Sequence, residues 1–128
     1  WLKQRQDHAE LYNDLFKASG LTVNGNVETP YHLPGCLHTY NQYTIAVRKR
    51  DQMRDYLKKR GIGTTVYYPS PLHLQPVFKD LGYKVGDFSH AEQAAERVLS
   101  LPMFPELTDE EIKRVVIAIT EFYGDEAK

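Results

Sequence analysis

GIGTTVYYPSPLHLQP, residues 61–76, is the stretch on which the reading of this chain turns. It opens at Gly61, where a basic helix stops, and runs through a short β-prone segment, Thr64 to Tyr68. It then bends at Pro69 and Pro71 into Leu72-His73-Leu74-Gln75-Pro76. Each proline fixes φ near −65° and removes a backbone donor, so the bend is stiff. Two phenols, an imidazole and a primary amide fall between Tyr67 and Gln75. A stiff loop carrying such groups is where binding residues tend to sit. The same letters also read as a tyrosine-rich strand end followed by a proline-rich connection. In an extended strand Tyr67 and Tyr68 point to opposite faces, so only one of them would look into a given pocket unless the strand ends between them.

Upstream, Arg50 to Arg60 predicts a helix with Asp51 near its start and Met53, Tyr56 and Leu57 as its buried stripe. Lys58, Lys59 and Arg60 suit the negative end of its dipole. Thr39 to Val47 predicts the best strand, with Tyr43, Ile45 and Val47 alternating against Gln42, Thr44 and Ala46. Asn41 and Gln42 stand at its start, either as turn and surface amides or as polar groups aimed at a ligand. Between Leu21 and Pro34, Asn24-Gly25-Asn26 signals a turn between short β-prone pieces. His32, Cys36 and His38 lie close in sequence, but they lack a recognised metal spacing and a fourth ligand, so no metal is expected. Trp1 to Ser19 predicts an amphipathic helix with Trp1, His8, Leu11, Tyr12, Leu15 and Phe16 near one stripe and Gly20 as its stop. A helix that starts at Trp1 with no capping residue before it suggests a polypeptide that is cut, processed or preceded by a part not seen here.

Downstream, Gln75 to Leu81 predicts a short helical turn ended by Gly82. Ser89-His90-Ala91-Glu92 reads as a capping box opening a helix to about Val98. Leu99 to Pro102 reads as a short buried strand. Thr108-Asp109-Glu110-Glu111 is a second capping box. The helix behind it repeats Ile112, Val115, Val116, Ile119 and Phe122 at core spacing. The expected order is helix, strand, helix, strand, helix, short strand, helix. That order suggests an α+β fold in which helices cover a small sheet.

Composition bounds the rest. The 128 residues fit one domain with a real core. A net charge of −1 argues against a dedicated nucleic-acid binder or a membrane-surface protein. Seven basic residues lie between Arg48 and Arg60, but a solvated face and dipole complementarity account for most of them. A single cysteine, Cys36, forms no intrachain disulfide and fits a reducing, cytoplasmic setting. No apolar run approaches the roughly 20 residues that span a bilayer, and no signal peptide opens the sequence. There is no GxGxxG or P-loop, no GxSxG elbow and no paired carboxylates in an evident pocket.

The run NQYTIAVRKRDQMRDYLKKRGIGTTVYYPSPLHLQPVFKDLGY, followed by SHAEQAAERVLSLPMFPELTDEEIKRVVIAI, resembles the C-terminal part of the DegT/DnrJ family of sugar aminotransferases. The resemblance covers nearly the whole chain, and RDQMRDYLKKRGIGTTVYYPSPLHLQ, AEQAAERVLSLP and PELTDEE are its most specific pieces. Residues 1–20 look like the helix that leaves the large cofactor domain, and residues 21–128 like the small domain.

The resemblance implies a pyridoxal-phosphate enzyme of the aspartate-aminotransferase fold. It passes an amino group from glutamate to a nucleotide-linked keto sugar, in cell-surface polysaccharide or amino-sugar biosynthesis. It also implies a homodimer formed mainly through the large domain, which supplies the Schiff-base lysine. None of the nine lysines here sits in a matching context, so no catalytic residue is expected in this chain, and alone it is expected to be inactive. Tyr67, Tyr68 and His73 carry over as substrate contacts, with Gln75, Asn41 and Gln42 as looser matches. Many relatives have histidine where Tyr67 stands, and proline is common where Ser89 stands. The alternative is a free-standing, ferredoxin-like module that binds a small ligand through the Tyr67 to Gln75 loop.

Overall fold

A computed structural model describes residues 1–126 of the 128. Its elements run α1 (Leu2–Ala18), β1 (Val27–Glu28), β2 (Tyr43–Val47), α2 (Arg50–Lys59), α3 (Ser89–Arg97), β3 (Val98–Leu101) and α4 (Asp109–Glu126). Two short 3₁₀ turns, Leu72–Leu74 and Pro76–Leu81, lie between α2 and α3. The three strands form one antiparallel sheet in the order β1-β2-β3, with Val27 opposite Val47 and Ile45 opposite Leu99. This is the expected α+β architecture.

The central strand shows why the sheet forms here. Tyr43, Ile45 and Val47 are fully buried, while Thr44 and Ala46 are half-buried. Alternation with period two puts the three large side chains on one face. α1 brings Tyr12 onto that face, its ring 4.7 Å from that of Tyr43 and stacked on it. α1 and α2 both pack against α4, whose Ile112, Val115, Ile119 and Phe122 close the core. Each large aliphatic group buried this way stabilises the fold by about 1.5–3 kcal/mol. Burial pushes the phenols of Tyr12 and Tyr43 well above their usual range, so both remain neutral. Tyr12 donates its proton to the Pro102 carbonyl and Tyr43 donates to Asn13 Oδ1.

α2 ends as its sequence predicts. The Ile62 N–H reaches the Leu57 carbonyl at 3.0 Å, and the Gly61 N–H reaches Lys58, also at 3.0 Å. Ile62 and Leu57 are both buried. This double bond with its hydrophobic contact is the Schellman closure, which needs a left-handed residue; Gly61 supplies it at φ +73°. Arg60 lays its guanidinium 3.6 Å from the centre of the Tyr56 ring.

Four expectations need correcting. The strand predicted over Thr64–Tyr68 is a single bridge, Thr65 to Ser100: β3 continues to Val98, but this segment turns off it after Thr65, and Pro69, which has no backbone donor, follows closely. β1 takes the second outer place in the sheet instead. The strand predicted from Thr39 begins only at Tyr43, since Tyr40 adopts φ +44° and Asn41 and Gln42 form a bend. Ser89 does not cap α3: Phe88 holds the N-cap position and its side chain makes no capping bond, although the Phe88 N–H reaches Glu92 Oε1 at 3.4 Å. Trp1, placed on the buried stripe of the first helix, is 80% exposed, and His8, Ala9, Tyr12 and Phe16 carry that stripe. The Thr108 capping box, by contrast, forms in full. The Thr108 N–H reaches Glu111 Oε2 at 2.9 Å, and the Glu111 N–H reaches Thr108 Oγ1 at 3.3 Å.

Candidate functional site

Past Thr65 the chain leaves the sheet, and Tyr67 and Tyr68 follow, joined by a cis peptide bond. With no strand to set their alternation, both rings face one groove, edge to face with centroids 5.8 Å apart. The groove has a volume of about 410 Å³. One wall is Tyr67 to Leu72 with Gln75; the other is Ala91, Ala94 and Ala95 of α3 with Val98 of β3. Neither tyrosine hydroxyl has a protein partner among the described residues, and the Gln75 amide makes only a long 3.5 Å bond to the Ser70 carbonyl. A concave surface with an apolar floor and a few polar groups that lack partners is the usual form of a small-ligand site.

The other predicted residues sit elsewhere. His73 does not line the groove. Its Nε2 donates to Glu92 Oε1 at 2.9 Å, and its ring packs 4.8 Å from that of Phe88. Asn41 and Gln42 are exposed in the bend before β2 and do not reach the groove wall. His32 Nε2 donates to the Cys36 carbonyl, while His38 Nδ1 accepts from the Tyr40 N–H. Among the described residues no cluster of three metal-ligating groups is assembled.

Three features of the site escape sequence reasoning. The alanine wall of α3 is one; its signal was present as small residues at positions 91, 94 and 95, spaced for one helix face. Arg50 is another. It lies in the first turn of α2, where the helix dipole disfavours a cation, yet it is only 7% exposed. Its Nη1 donates to the carbonyls of Ala95 and Val98 at 3.0 and 3.1 Å, and its Nε to Asp51 at 2.8 Å. It closes the end of α3, where a cation is favoured, and so braces Ala95 and Val98 of the second groove wall. Glu92 is the third. Its carboxylate accepts two bonds from the Gly86 N–H, one to each oxygen at 2.9 Å, besides that from His73. The Gly86 amide, with His73 and Phe88 in support, holds Glu92 below the usual carboxylate range.

A larger hollow of about 520 Å³ lies between α1 and α4, lined by Leu15, Val116 and Ile117 with Ser19, Lys113, Thr120 and Glu121. It contains none of the residues predicted to bind substrate. Among the described residues no helix is long and apolar enough to cross a membrane.

A small α+β domain with a groove of about 410 Å³ beside its sheet defines a class rather than an activity. Its kinship is closer: the chain belongs to the DegT/DnrJ/EryC1/StrS aminotransferase family, which matches residues 1–120. It is 50% identical over 123 residues to a pleiotropic regulatory protein of Geobacillus stearothermophilus, covering 96% of this chain and 32% of that one. It is 37% identical over 126 residues to a UDP-N-acetyl-3-dehydro-α-D-glucosamine 3-aminotransferase of Acidithiobacillus ferrooxidans, covering 92% and 33%. Among solved structures it matches Streptomyces venezuelae DesV in complex with a ketimine intermediate. That match has a TM-score of 0.84 and 32% identity, over 95% of this chain and 32% of that one. The chain therefore spans about a third of the length of the relatives it matches.

Members of this family depend on pyridoxal phosphate. The residues described here do not fit that cofactor by themselves. All eight described lysines are exposed and none lines the groove, so no amine is placed for a Schiff base there.

Proposed function

We propose that this chain is the small, C-terminal domain of a pyridoxal-phosphate aminotransferase that moves an amino group from glutamate to a nucleotide-linked keto sugar. The groove beside Tyr67 and Tyr68 is its share of the sugar site. The observation that carries this reading is the pair of tyrosine hydroxyls and the Gln75 amide, ready to hydrogen-bond around a 410 Å³ groove in a chain of this family. Phenols and amides both donate and accept, which suits a ring of sugar hydroxyls. The sugar-nucleotide aminotransferase among the relatives supports the substrate class. Residues 1–20 form the helix that joins this domain to the large one, and residues 21–128 form the domain proper. Asn41, Gln42 and His73 stay candidates for substrate contact only if the large domain brings the sugar to them.

When bound, pyridoxal phosphate supplies the electron sink for transamination. The lysine that holds it belongs to the large domain, which also forms most of the contact within a homodimer, and the enzyme works in the cytoplasm. The chain alone then has no transaminase chemistry, and glutamate turnover by residues 1–128 in isolation would contradict this assignment. The free-standing binding module finds no support in the comparisons. The exposed apolar side chains along Leu72, Val77 and Leu81 favour a domain that is covered by more protein.

The test is Tyr68→Phe in the full-length enzyme. Losing one hydroxyl contact costs about 0.5–1.5 kcal/mol, so the sugar KM should rise by about two- to tenfold while the glutamate half-reaction is unchanged. Equal losses in both half-reactions would assign Tyr68 to the cofactor instead.

A further inference from the structure

Glu92 and His73 lie outside the groove, yet between them they join its two walls. Glu92 projects from α3, between Ala91 and Ala94, which line one wall. His73 lies in the 3₁₀ turn between Leu72 and Gln75, which line the other. The His73 side chain is 7% exposed and that of Glu92 16%, so the bond is shielded from water. The same carboxylate accepts the Gly86 N–H on both oxygens at 2.9 Å and the Phe88 N–H at 3.4 Å. One side chain thus gathers the 3₁₀ turn, the Gly86 loop and the start of α3.

Few core contacts hold the loop, whose other ties are local turns and the packing of Phe88 on His73 and Tyr83. Beyond the Thr65–Ser100 bridge it has no strand pairing, and Leu72, Val77 and Leu81 are exposed rather than packed in the core. A loop with so little apolar burial leans on its polar ties to keep one geometry. A charged acceptor shared by several donors is the strongest tie of that kind.

We propose that Glu92 is a positioning residue for the groove: through His73 and the Gly86 and Phe88 amides it fixes the distance between the wall bearing Tyr67, Tyr68 and Gln75 and the alanine wall of α3. This inference rests on the sugar-site reading above, and it gives His73 the part of a tether rather than of a substrate contact. A groove of fixed width is pre-organised for its ligand, and loosening it weakens binding without touching chemistry elsewhere.

The full-length enzyme carries the test, with Glu92→Gln, Glu92→Ala, His73→Phe and His73→Gln. Sugar KM should rise by about tenfold in Glu92→Ala and His73→Phe, the factor for one lost anchor, while the glutamate half-reaction stays within about twofold. His73→Gln restores an N–H near the position of Nε2 and should recover most of the loss; Glu92→Gln, which keeps the shape but loses the charge, should fall between. Hydrogen exchange over residues 70–88 should quicken in the same order while β2 stays protected, which reports a folded sheet in every variant. Quickened exchange with an unchanged sugar KM overturns the positioning role. So does a His73→Gln enzyme no better than His73→Phe. A wild-type enzyme that aminates no nucleotide-linked keto sugar removes the sugar-site reading and this inference together, so the two failures are told apart by the wild-type control.

Discussion

The sheet with its helices and the segment 63–94 are built on opposite principles. Among the described residues, the buried apolar set runs from Ala9 to Ile62 and resumes at Ala95; nothing between is fully buried. The same segment holds nine of the large apolar side chains that stay exposed, from Tyr67 and Tyr68 to Val85 and Phe88. One region is fixed by close packing, which is insensitive to charge and intolerant of volume change. The other is fixed by a handful of polar ties and leaves its apolar groups outward. A binding groove lies where the two meet: its tyrosine wall belongs to the segment, and its alanine wall runs from Ala91 and Ala94 of the segment to Ala95 and Val98 of the packed region. The alanine wall, anchored in the core at Ala95, sets the reference, and the tyrosine wall carries the groups that discriminate.

Substitutions should expose that division. The largest effect is expected in the packed region: Ile119→Ala should lower stability by about 2–5 kcal/mol in urea unfolding, because Ile119 is fully buried in α4. Leu72→Ala, at 73% exposure, should change stability by less than about 0.5 kcal/mol. Comparable losses from the two would erase the distinction. Next comes the junction. Arg50→Met removes a buried cation from two carbonyls and should cost about 1.5–3 kcal/mol, with faster hydrogen exchange at the end of α3 as its mark.

The smallest effects sharpen the contrast between the two helix starts. Thr108→Ala should cost about 1 kcal/mol, since its hydroxyl caps α4. Ser89→Ala should cost almost nothing, since Phe88 and not Ser89 holds the N-cap position of α3. The capping box also gives a pH signature. Bonds from the Thr108 N–H and hydroxyl hold the Glu111 carboxyl below its ordinary 4.5. A depressed folded-state value stabilises the native state fully above pH 4.5, and the gain is lost as pH falls through the folded value. Glu111→Gln should therefore flatten the acid limb of the stability curve and leave neutral pH less stable than wild type.

Helix periodicity carried most of the fold. Met53 and Leu57, or Ile112, Val115 and Ile119, report their own burial because a 3.6-residue repeat has no other economical explanation. Strand limits were less legible. Thr64 to Tyr68 has β-forming side chains, but a strand also needs a neighbour, and only Ser100 answers it. At Ser89 the local pattern was right for a cap, yet Glu92, the glutamate of that box, is drawn to His73 and Gly86 from outside the helix. The site divided in the same way. Tyr67, Tyr68 and Gln75 could be picked out as polar groups on a stiff loop. That both tyrosines share one groove, and that His73 turns away from it, depends on contacts between residues far apart in sequence.

The order of strands along the chain has a kinetic side. β2 takes its longer partner, β3, only at Val98, and α1 meets α4 only beyond Asp109. As the polypeptide is made, Tyr43, Ile45 and Val47 must wait, unpaired on one edge, for some fifty further residues to emerge. Contacts this distant make for slow folding and a long exposure of β-prone sequence. The long, polar-tied loop that builds the groove is therefore also the delay that leaves the sheet open to wrong partners during synthesis.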